Sequence, residues 1–278
     1  MRNKSVTICL MAAVLVIAAR QGFGWTQFKD GGTYNINYTI NDDVWVDYLA
    51  PGKQTTVNLL DGGNIPSPYK LQGYNDGWIN IFGGSVGYCL YAYDSSHITM
   101  LGGTVNEILG AYNNSQVTMS GGSVGNQLLA NNNSQVTMSG GSVRYDLFAR
   151  NSSQVTITGG LVNRDLFVNN SSLVNWSGGT VGGRLLIGGA AILVISGSDF
   201  AIEGIPVGFG KIEIASILGG DCFNEPSRRL TGTLANGDII NNQFQIGNYA
   251  SITLESVPEP ATLLLFGLGA VMLRRKFS

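Results

Sequence analysis

The stretch that decides the fold is GGSVGNQLLANNNSQVTMS, residues 121–139, followed at once by GGSVRYDLFARNSSQVTIT, residues 140–158. The two share a pattern rather than a composition, and the pattern extends in both directions. Gly-Gly pairs begin at Gly83, Gly102, Gly121, Gly140, Gly159 and Gly178, always at the same spacing of nineteen. A fixed period over this many copies signals a repeat architecture. With the first Gly as position one, position four is Val124, Val143 and Val162, and position eight is Leu109, Leu128, Leu147 and Leu166. Position ten is Ala92, Ala111, Ala130 and Ala149; sixteen is Val117, Val136 and Val155; eighteen is Met100, Met119 and Met138. Eight with ten, and sixteen with eighteen, show the two-residue period of a strand with one buried face.

These columns predict an all-β chain, a parallel β-helix with 19-residue coils of three short strands near positions three to five, seven to eleven and fifteen to nineteen. The Gly pair supplies one corner, where a positive φ or close packing excludes a side chain. An Asn-Ser cluster (Asn113-Asn114-Ser115, Asn132-Asn133-Ser134) supplies another, with asparagines placed to hydrogen-bond in ladders as coils stack. Leucine-rich repeats need a longer period and a different leucine spacing, so they do not fit. One coil cannot outweigh the entropy of ordering itself, so the array must be long and its ends covered. Five segments follow. Residues 1–24 are a signal peptide, 25–82 an N-terminal cap with irregular first coils, and 83–215 the regular β-helix. Residues 216–256 are a C-terminal cap and stalk, and 257–278 a sorting or anchor segment. In the coil before Gly83 the two extra residues fall between Asn64 and Lys70; beyond Gly197, Phe200, Ile212 and Ile214 still fit the columns, while Gly204 and Pro206 do not.

Only 12% of residues are charged and the formal net charge is −2, which gives no overall electrostatic grip on nucleic acid or anionic lipid. At 44% apolar residues the chain is too hydrophobic for a disordered one. At the N-terminus Arg2 and Lys4 precede an apolar run from Val6 to Ala19, and Gly22-Phe23-Gly24 offers small residues before a cut at Trp25. This predicts a signal helix and export. Cys9 lies inside the apolar run with no small residue after it, against a lipoprotein.

At the other end Val257-Pro258-Glu259-Pro260 leads into an apolar run, Ala261 to Leu273, closed by Arg274, Arg275 and Lys276. As a helix this run is about 20 Å long, short of the ~30 Å hydrocarbon core, and its basic end favours the cytoplasm. The tail closely resembles the PEP-CTERM sorting signal of Gram-negative bacteria: a VPEP box, a short hydrophobic helix and a terminal Arg cluster, in that order. The whole chain also resembles PEP-CTERM proteins with Gly-Gly-x-Val β-helix repeats, although only the tail is specific. The resemblance implies recognition by an exosortase, membrane anchoring before processing, and then a cell-surface or extracellular location with the envelope or exopolysaccharide as partner. An unprocessed C-terminal anchor is the alternative.

Parallel β-helices often act on polysaccharides, through clustered carboxylates. Here column seven runs Gln127, Asp146, Asp165 and Arg184, with Arg144 and Arg164 nearby. Asp146 and Asp165 in adjacent coils lie close enough to share a proton or a cation; the competing expectation is a solvated salt-bridge ladder worth ~0–1 kcal/mol per pair. No motif of the polysaccharide-cleaving families surrounds them, and no catalytic residue, metal or cofactor is expected. His97 stands where other coils carry Gln and reads as a surface variant. Beyond Cys9, Cys89 and Cys222 pair only if the C-terminal cap folds back on the first full coil. Tyr91, Phe148 and Phe167 in column nine, with Tyr93 and Tyr112 in column eleven, form either an outward partner or glycan surface or additional core. The function expected is a non-enzymatic structural or adhesive surface protein, open to self-association; the alternative is an extracellular glycan-binding or glycan-cleaving β-helix.

Overall fold

The structure, a computed structural model, describes residues 25–48, 54–212, 227–247 and 249–257. It is a parallel β-solenoid of about nine coils. From Trp78 to Ile192 successive coils pair at the repeat spacing, with bulges only at the Gly corner of the later coils. Val117 lies over Val136, and Leu109 over Leu128. Strand Gln116–Met119 alternates exposed and buried, so Val and Met point inward. Val124 and Leu128 are 1% and 0% exposed, as a column shared by stacked coils requires.

Each coil has three faces: a short one at positions three and four, a leucine sheet at eight to ten, and a threonine sheet at fifteen to eighteen. In the later coils the threonine strand continues through the Gly corner, as in Gln135–Val143 and Gln154–Val162. The two glycines of each pair serve different needs. Gly122 has φ +76°, which a side chain rarely adopts, whereas a Cβ on Gly121 would lie 2.2 Å from the carbonyl oxygen of Leu101. At the opposite corner Asn113, Asn132 and Asn151 take φ near 58–59°. Asn132 Nδ2 donates to Asn113 Oδ1, and Asn151 Nδ2 to Asn132 Oδ1, both at 3.0 Å. Beside them a buried serine column, which the sequence pattern did not expose, satisfies the turn: Ser115 Oγ donates to the Ala92 carbonyl (3.1 Å) and accepts the Tyr112 N–H (2.9 Å).

The first coils keep the pairing but lengthen the corners. Thr33 pairs with Thr56 and Thr56 with Trp78, both steps longer than the repeat. The extra residues before Gly83 do fall between Ile65 and Leu71, since Ile65 pairs with Val86 but Leu71 with Leu90.

The C-terminal end departs from the sequence reading. After Ile192–Ile202 the chain turns back, pairing Ile202 with Ile205 and Ala201 with Pro206 in antiparallel fashion. Gly204 has no side chain to follow Leu185 into the core, and Pro206 no N–H for a parallel ladder. Ile212 is buried but donates to the Ile252 carbonyl, and neighbouring Lys211 pairs antiparallel with Thr253, so Ile212 does not continue the column of Leu193. Ile252 does, and Phe244 follows Leu185, each after a long excursion of the chain. The expected cap and stalk over 216–256 thus contains another coil, Ile239–Ile246 and Ser251–Ser256, with Arg228–Leu234 antiparallel beside it. Among the described residues there is no helix, and none long and apolar enough to cross a membrane. The expected signal helix, C-terminal helix, Ile214 and Cys222 lie outside the described residues.

Candidate functional site

The outer surface of the leucine sheet gathers most of the residues singled out above. Strand Leu90–Ala92 turns Leu90 and Ala92 into the core and Tyr91 out, and Tyr93 follows on the same side. Rings stack coil upon coil. Tyr74, Tyr93 and Tyr112 lie 5.1 Å apart, at 15° and 19°, and the column continues through Trp45 (5.3 Å) to Trp25 (4.0 Å, 15°). Tyr91 meets Tyr112 edge-on at 5.7 Å, over Gly110, where a Cβ would stand 2.9 Å from both rings. Burial pushes these phenols up, Tyr112 to about 12, so they remain protonated at neutral pH. The tyrosines of this column are half-buried. Trp25, Trp45 and Tyr74 escaped the sequence reading because they precede the regular array; Tyr74, however, stands one repeat before Tyr93 and two before Tyr112, and that spacing identifies it.

Further along the sheet Phe148 and Phe167 stack at 4.5 Å and 10°. They alternate with inward Leu147, Ala149, Leu166 and Val168 and stand outside the main core cluster. Phe148 is nevertheless 9% exposed, covered in part by the Arg150 guanidinium 4.4 Å from its ring centre. Among the described residues no ring contact joins this pair to the tyrosines.

Asp146 and Asp165 do not form a solvated ladder. Their side chains are 11% and 7% exposed, turned against the backbone of the following coil. Asp146 Oδ1 accepts the Asp165 N–H (3.1 Å), and Asp165 Oδ1 accepts the Arg184 N–H (2.7 Å) while Arg184 Nη2 donates to Oδ2 (2.8 Å). The corner after position six leaves an N–H that needs an acceptor, and aspartate supplies it. Burial opposes ionisation of Asp165, but the hydrogen bonds and charge of Arg184, with Arg164 behind, outweigh it and hold the carboxyl below its ordinary value.

Among the described residues no three His, Cys, Asp or Glu side chains converge as a metal site. Cys89 is a free, buried thiol. His97, expected at the surface, is half-buried with its ring 5.0 Å from Trp78. A shallow depression near Phe200, Pro206 and Phe209 contains no converging titratable groups.

Residues 256–276 match the family model described as the PEP-CTERM protein-sorting motif. Of the sorting residues, Val257 is exposed; Pro258, Glu259, Pro260, Arg274 and Arg275 lie outside the described residues. No curated protein and no solved structure matches the chain.

Proposed function

We propose that this chain, exported and sorted through its PEP-CTERM tail, is a non-enzymatic structural or adhesive element of the cell surface. The observation that carries the reading is the sorting motif itself, which implies exosortase-dependent handling of an exported protein with a membrane-anchoring signal. An envelope or exopolysaccharide setting suits a chain whose regular coils offer uncharged Thr, Gln, Ser and Asn side chains. Absence of catalysis is supported by the engagement of Asp146 and Asp165 with backbone and arginine. Cell fractionation tests the reading. The wild-type chain is expected at the surface or in the medium, and replacement of Arg274, Arg275 and Lys276 by Ala is expected to leave it unprocessed in the membrane. Recovery of both forms from the cytoplasm would overturn it.

A second reading, an extracellular glycan-binding protein, is favoured by the aromatic side chains on the outer leucine sheet and the arginines beside it. Its glycan-cleaving version is disfavoured at Asp146 and Asp165, whose carboxylates are taken up by backbone N–H groups and by Arg184.

A further inference from the structure

We propose that the outer surface of the coils from 140 to 184, built from Arg144, Arg150 and Arg164 around Tyr145 and Phe148, docks an acidic polysaccharide. The proposal deepens the glycan-binding reading and rests on it. Charge on this chain is sparse, and in this region it is layered. The two carboxylates of the region, Asp146 and Asp165, lie beneath the surface and are occupied by backbone N–H groups. The cations lie above them: Arg144 and Arg150 are exposed, and the Arg164 and Arg184 side chains are 56% and 47% exposed.

Only Arg184 is firmly neutralised, through its 2.8 Å pair with Asp165; Arg164 comes no closer than 4.0 Å to Asp146. Arg144 and Arg150 have no carboxylate partner among the described residues. Their guanidinium groups are held by aromatic faces instead. Arg144 and Arg164 approach the Tyr145 ring at 5.4 and 5.5 Å, and Arg150 covers Phe148 at 4.4 Å. A guanidinium lying on a ring keeps its N–H groups free at its edge and has already lost much of its rotamer freedom. That geometry suits bidentate capture of carboxylate or sulfate groups. Arg144 and Arg150 share one coil, separated by no more than about 20 Å of extended chain, and Arg164 sits one coil away, about 5 Å along the axis.

Three under-neutralised cations spread over that span fit an anionic group recurring along a polymer better than a single small anion. The surrounding amide and hydroxyl groups and ring edges suit sugar hydroxyls between the charges. Duplex DNA, with a charge every ~1.7 Å, would call for a denser basic surface than this.

The test uses the full chain in detergent. Polygalacturonate is the acidic probe, with neutral dextran, duplex DNA and phosphatidylglycerol vesicles as comparisons. Polygalacturonate is expected to bind in a salt-sensitive manner and the other three weakly. The triple variant Arg144→Gln, Arg150→Gln, Arg164→Gln should lose about tenfold or more in affinity, with an unchanged circular dichroism spectrum. Arg228→Gln with Arg229→Gln, on a different part of the surface, should bind as the wild type does. Equal binding of dextran, or a triple variant that binds normally, overturns the acidic preference and leaves glycan binding standing. Binding of neither polysaccharide overturns both. Tighter binding of DNA or vesicles overturns the choice of partner.

Discussion

Asp165 shows why a charged residue in a repeat need not face a ligand. Its carboxylate is buried, accepts the Arg184 N–H, and pairs with the Arg184 guanidinium. Asp165→Ala leaves that N–H and that cation without their partner and should cost about 1–3 kcal/mol, measured as a shift of the urea midpoint. Asp165→Asn keeps an acceptor for the N–H and should cost less. The same residue sets a pH dependence. Its folded pKa lies below its unfolded value, so the stability it supplies is complete above the ordinary carboxylate range and is lost as pH falls through the folded value. Asp165→Asn should therefore lose less melting temperature than wild type between pH 6 and pH 3. An equal loss in the two proteins would remove Asp165 from the acid response.

Within one coil, the corners demand more of the sequence than the strands. The strand positions need only be apolar in the right alternation, and Val, Ile, Met and Trp all serve in the inward columns of the threonine sheet. The first Gly of each pair has no such latitude. At Gly121 a methyl group would meet the Leu101 carbonyl at 2.2 Å, backbone that cannot move without disturbing two coils. Gly121→Ala should thus destabilise by about 1–3 kcal/mol or more, whereas Ser123→Ala, at a half-buried position of the same turn, should fall within about 0.5 kcal/mol of wild type. Thermal melts of the two variants decide this. The inward columns and the Asn ladder were legible in the sequence because period two inside period nineteen fixes which side chains share an environment. The buried Ser column and the buried Asp pair were not, because a polar residue in a repeat looks the same whether it faces water or a turn N–H. Column nine was ambiguous for a related reason: Phe148 points away from the core, yet its neighbours cover it.

For the whole molecule, stacking rather than contiguity defines the fold. Phe244 and Ile252 continue columns that the chain left at Leu185 and Leu193, which a search at the repeat spacing cannot find. The early coils tolerate longer corners for the same reason, since Thr56 and Trp78 remain in pairing position over their predecessors. If stacking is the rule, a coil can be removed whole. Deleting residues 121–139 joins Ser120 to Gly140 and brings Leu109 under Leu147, Val117 under Val155 and Asn113 under Asn151, each like on like. That variant should remain folded, with an unchanged β-sheet signal per residue and a lower melting temperature, because one layer of burial and one set of ladder hydrogen bonds are lost. Deleting only residues 131–139 removes the Asn-Ser corner and the threonine strand of one coil while leaving its leucine strand. Ala130 would then run directly into Gly140, and the next coil could not regain its place. This shorter deletion should yield aggregated or unfolded protein by size exclusion and circular dichroism. If the partial-coil deletion folds as well as the whole-coil one, coil-by-coil stacking is not what holds this molecule together.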